Sequence, residues 1–71
     1  MLIHLANDLY FSTSQWDLVD VNFEVVNYDP KEHYDIINSR ISWLWEDYHS
    51  EGNEDDEVAY IALQRFLDEN Q

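Results

Sequence analysis

Asn27-Tyr28-Asp29-Pro30-Lys31-Glu32 divides the chain in two. Asp29 is a helix N-cap, Pro30 at the first helical position has the required φ and no N–H to lose, and Glu32 stands third, where a capping box wants it. A strand must end at Tyr28 and a helix must begin at Asp29–Pro30. Upstream, Val19, Val21, Phe23 and Val25 alternate with Asp20, Asn22 and Glu24. That period of two puts one face on a core and predicts a single strand across 17–28. Before it, Met1 to Ala6 is apolar except for His4, Asn7-Asp8 is a turn signal, and Leu9 to Thr13 is apolar and then β-prone. The pattern predicts a short hairpin, with a helix over residues 1–15 as the alternative.

Downstream, at about 100° per residue, Tyr34, Ile37, Ile41, Leu44 and Tyr48 fall on one stripe, with Glu32, Asp35, Ser39, Ser42 and Glu46 largely opposite. The first helix is expected over 29–49. Gly52, the only glycine, supplies a left-handed residue that closes it, and Asn53 is the N-cap of a second helix over 53–70. Its core stripe is Ala59, Ala62, Leu63 and Phe66, with Tyr60 and Leu67 at the edge. The expected fold class is therefore α+β, a small antiparallel sheet of about three strands followed by two packed helices. The 71 residues have room for one domain, 1–71, of which 1–28 is mainly β.

The densest chemical feature lies where the two helices meet. Glu46, Asp47, Glu51, Glu54, Asp55, Asp56 and Glu57 put seven carboxylates into twelve residues, and no Lys or Arg falls among them. Sixteen Asp and Glu stand against three Lys and Arg, giving a net charge of −13. Like charges so close repel one another and weaken the compact state unless something binds them. Direct binding to nucleic acid or to an anionic membrane is disfavoured, and a basic partner is favoured. The plainer alternative is a solvated helix–helix turn whose charges serve solubility.

Several classes of function are disfavoured by the same residues. Cysteine is absent, so neither disulfides nor thiolate metal sites are available. An EF-hand register with Gly52 at the sixth loop position puts His49 third and Val58 twelfth, where a bidentate Glu is required, so no metal site is expected. His4, His33 and His49 lack the His-Glu-x-x-His spacing of a zinc enzyme. No nucleophile motif, phosphate loop or glycine-rich turn is present, so neither catalysis nor a cofactor is expected. A hydrophobic fraction of 45% and an aromatic fraction of 15% argue against disorder. The N-terminus has no secretory pattern and no stretch approaches a membrane span, which predicts a soluble, cytoplasmic protein.

Of three tryptophans, Trp45 borders the first helix's core stripe and is expected to be buried, and Trp16 is expected to cover the sheet. Trp43 projects away from that stripe, on the side of Ile36 and near Asp47. Trp43 and Ile36 thus form an expected apolar patch rimmed by acids, either a homodimer seam or an anchor for a partner. The bland alternative is packing against the N-terminal hairpin.

In size, charge and aromatic content the whole chain resembles the small acidic phage proteins that imitate DNA, a class that includes inhibitors of nucleoid HU proteins, of restriction enzymes and of CRISPR effectors. The resemblance is one of class and carries no shared motif. It implies a non-catalytic inhibitor, acting in the cytoplasm of a host bacterium, that occupies the basic DNA-binding surface of a host protein, first of all one of the HU type. Glu46, Asp47, Glu51, Glu54, Asp55, Asp56 and Glu57 would then stand for phosphates, with Glu32 and Asp35 extending the row. A second resemblance, to bacteriocin immunity proteins and antitoxins, implies a cap on a basic toxin such as a nuclease. A structural or regulatory acidic domain is the third class.

Overall fold

In the computed structural model, which describes residues 1–70, four strands precede two helices: β1 (Leu2–Ala6), β2 (Leu9–Ser12), β3 (Asp17–Val19), β4 (Val25–Val26), α1 (Pro30–Glu51) and α2 (Glu54–Glu69). The sheet order is β1-β2-β3-β4, each strand antiparallel to its neighbours. This is the expected α+β arrangement, with four short strands in place of about three.

Register explains the core. Ile3 stands opposite Phe11, Phe11 opposite Leu18 and Leu18 opposite Val26. Residues directly opposite share a face, so one apolar row crosses all four strands. Both helices cover that row: Ile37 and Leu44 from α1, and Ala59, Ala62, Leu63, Phe66 and Leu67 from α2, are buried with Ile3, Leu5, Phe11 and Leu18. Phe11 and Phe66 meet with ring centroids 5.0 Å apart, and Tyr28 meets Phe66 edge-on at 5.5 Å. Val19, on the opposite face of the sheet, is buried outside this cluster.

The predicted hairpin of residues 1–13 is present, with Asn7 at φ 45° in its turn. The single strand expected across 17–28 is not. Asp20 interrupts it, because its Oδ1 accepts from the N–H groups of Asn22 at 2.8 Å and Glu24 at 3.1 Å. The chain reverses there, Phe23 takes φ 63°, and β3 pairs with β4. Val21, Phe23 and Val25, expected on a core face, are consequently exposed. An Asp side chain that satisfies nearby backbone donors outcompetes the ladder.

The helix boundaries follow the capping signals. Asp29 Oδ1 accepts from the N–H of Lys31 at 3.0 Å. The reciprocal contact is made by His33 rather than Glu32: the Asp29 N–H donates to His33 Nδ1 at 2.9 Å. His33 is therefore buried in the first turn, while Tyr34, expected on the core stripe, is exposed. Trp45, expected to be buried, is also exposed. Its ring stacks on His49 one turn ahead, with centroids 3.9 Å apart, instead of reaching the core. Trp16 has left-handed φ of 56°, packs edge-on against Phe11, and donates from Nε1 to Glu69 Oε1 at 2.6 Å, so it ties the β2–β3 turn to the end of α2. No helix among the described residues is long and apolar enough to cross a membrane.

Candidate functional site

Gly52 and Asn53 create the acidic corner. Gly52 takes φ 70° and its N–H donates to Tyr48 O at 2.7 Å, which closes α1. One residue later Asn53 Oδ1 accepts from the Asp55 N–H at 3.0 Å and starts α2. The last turn of one helix and the first turn of the next are thus adjacent, and all seven acids of 46–57 gather around the junction.

Their local electrostatics differ. Glu54, Asp55, Asp56 and Glu57 occupy the first turn of α2, where the helix dipole favours negative charge. Glu51 lies in the last turn of α1, where the dipole opposes negative charge and His49 is the one basic residue, and Glu46 and Asp47 stand just before that turn. Helix stability alone therefore does not account for Glu51.

Burial sorts them further. Glu46, Glu51, Glu54 and Asp55 are exposed, whereas Asp47, Asp56 and Glu57 are half-buried. Asp56 Oδ2 is shielded from solvent and has no donor among the protein groups. Its neighbour is Asp47, another carboxylate, so the two can hydrogen-bond only by sharing a proton. That shared hydrogen bond, then burial, then the negative charges of Asp47, Asp55 and Glu51, raise Asp56 above the ordinary carboxylate value. The Glu57 carboxylate beside the Tyr48 hydroxyl favours the protonated phenol and raises its pKa. Four of the seven acids thus face solvent, and three are half-buried at the corner.

No cation neutralises the exposed set. Among the described residues no Lys or Arg nitrogen lies within 4.0 Å of a carboxylate oxygen, and the one charge contact is His33 Nε2 to Glu32 at that distance. The Arg40 guanidinium sits 5.1 Å from the centre of the Trp43 ring, and that of Arg65 6.0 Å from Trp16. Both arginines are engaged with aromatic rings. No three His, Asp or Glu side chains among the described residues gather to hold a metal ion.

Glu32 and Asp35 lie on the face of α1 that carries Glu46, but the row is interrupted. Between Asp35 and Glu46 the same face presents Ser39 and Ser42, a gap of about 16 Å at 1.5 Å per residue. Glu32 instead closes on Asp8 and Asp20 around a shallow hollow at the other end of the molecule. Sequence spacing along one helix could not bring those two acids in, because they arrive from turns of the sheet.

Ile36 and Trp43 do come together. Trp43 is 54% exposed and Ile36 is half-buried against the core. With Leu5, Ala6, Ser39 and Arg40 they line a groove between β1 and α1. Arg40 was legible as a neighbour of Trp43 three positions away on a helix. Leu5 and Ala6 were not, since only the fold places β1 beside this flank.

Set against protein families, curated proteins and solved structures, the chain finds no match.

Proposed function

We propose that this chain is a DNA mimic, a non-catalytic inhibitor that occupies the basic DNA-binding surface of a host protein in the host cytoplasm. The observation that carries the reading is the exposed, unneutralised set Glu46, Glu51, Glu54 and Asp55 at the α1–α2 corner. Glu51 stands where the helix dipole opposes it, which a solubilising turn does not require. Asp47, Asp56 and Glu57, half-buried, add to the corner's field, while Glu32 and Asp35 add charge at the far end of α1. Trp43 and Ile36 provide the apolar anchor or dimer seam beside it.

A nucleoid protein of the HU type is the first target, because such proteins bind DNA by backbone charge and deformability rather than by base sequence, so a charge mimic competes broadly. Restriction and CRISPR nucleases are the further candidates. The test is affinity capture from bacterial lysate at low and high salt, with excess duplex DNA in parallel samples. Recovery of a DNA-binding protein that both salt and duplex displace is the expected result. Recovery of a partner indifferent to duplex DNA overturns mimicry and favours a cap on a toxin.

A further inference from the structure

The groove between β1 and α1 is apolar on one side of Trp43 and acidic on the other. On the first side, Leu5, Ala6, Ile36, Ser39, Arg40 and Trp43 enclose about 420 Å³. On the second, the opposite flank of Trp43 joins Glu46, Asp47, Ser50 and Glu51 in a shallow polar hollow. β1 is an outer strand of the sheet with no neighbour beyond it, and its register shifts between His4 and Ala6, just where its end forms the groove floor. Bulges of this kind re-aim side chains at sheet edges.

Charge decides what fits. Arg40, stacked on Trp43, puts a cation at the apolar end and disfavours a second one there. Beyond Trp43 the lining is acidic and without a Lys or Arg partner, so a cation belongs on that side. The two hollows lie about eight residues apart along α1, which is about 12 Å, or about three to four residues of extended chain.

We infer that the groove receives a basic, extended segment of the partner, with an apolar residue seated against Ile36 and Trp43 and a Lys or Arg about three residues away against Glu46, Asp47 and Glu51. Architectural DNA-binding proteins present such segments: arms whose Arg and Lys follow phosphates while an apolar wedge enters between base steps. Trp43 and its apolar hollow stand for the unstacked step, and the acids beyond stand for its phosphates. This inference rests on the mimicry reading and gives it a partner segment.

The experiment titrates the isotope-labelled full chain with two synthetic peptides and follows its NMR spectrum. One peptide carries an isoleucine three residues before a Lys-Arg pair, and the other has serine in place of the isoleucine. The expected result is shifts at Ile36, at the Trp43 indole N–H and at Asp47, with the serine peptide binding about tenfold more weakly, as loss of a buried aliphatic anchor requires. Trp43→Ala should lose the same factor while melting like the parent. Equal binding of the two peptides, or shifts confined to the acidic corner, overturns the assignment. So do shifts of the same residues that grow with protein concentration in the absence of peptide, which would put a second copy in the groove. Mimicry fails separately: a peptide that seats in the groove of a chain unable to displace duplex DNA from an HU-type protein leaves the groove assigned and its DNA-linked purpose refuted.

Discussion

Asp56 and Asp47 face each other across the α1–α2 corner, and at neutral pH their charges oppose folding. The folded state raises Asp56 above the ordinary carboxylate value, chiefly through the neighbouring Asp47 carboxyl, with which it can share a proton. Its stabilising contribution is therefore complete below the ordinary value and is lost as pH rises through the raised one. Asp56→Asn keeps a donor for Asp47 at every pH, so it should melt higher than the parent at pH 7 and show a flatter rise in melting temperature on acidification. Superimposable profiles of the two proteins would remove the shared proton. His33 carries a different load, as the acceptor for the Asp29 N–H. His33→Ala orphans that half-buried donor and should cost about 1 kcal/mol in denaturant unfolding. This role was hidden in the sequence, where Glu32 stands at the more usual capping position.

At the scale of elements, what could be read from the sequence was whatever a few adjacent residues settle among themselves. The Asp29-Pro30 start, the Gly52 stop and the Asn53 restart all lie where they were expected, because caps are local hydrogen-bond chemistry. The apolar alternation from Val19 to Val25 misled for a related reason: it continues unbroken through a turn that Asp20 builds from its own side chain. Asp20→Ala removes the acceptor for two backbone N–H groups and should destabilise the protein by about 1–2 kcal/mol, with β3–β4 amides losing hydrogen-exchange protection first. Uniform loss of protection across the sheet would instead mean that Asp20 supports more than its turn. Trp45 and Tyr34 show the limit of helical angle as a guide. Each lies within about 80° of the stripe centre, yet neither is covered by a second layer. The acidic corner was legible as composition, whereas its division into exposed and half-buried acids depended on how the helices meet.

Across the whole molecule, −13 charges are distributed over extents of 32 × 23 × 21 Å. One strand of a duplex carries about nine phosphates along that longest dimension. The acids concentrate at the two ends, at the α1–α2 corner and around Asp8, Asp20 and Glu32, with serines on the exposed face of α1 between them. Self-repulsion on this scale is screened by salt, since the Debye length falls to about 10 Å at 0.1 M. Thermal melts should therefore shift upward between low and moderate salt, and an unchanged melting temperature would mean that the acids are already neutralised. The measurement that bears most directly on mimicry is displacement of a labelled duplex from a purified HU-type protein, followed by fluorescence anisotropy as the chain is added. Stoichiometric release of the duplex is predicted, and Glu46→Lys combined with Glu54→Lys, at two exposed positions flanking the corner, should weaken release about tenfold or more without unfolding the protein. A duplex that stays bound at saturating chain, or release that the double reversal leaves unaltered, would contradict the account.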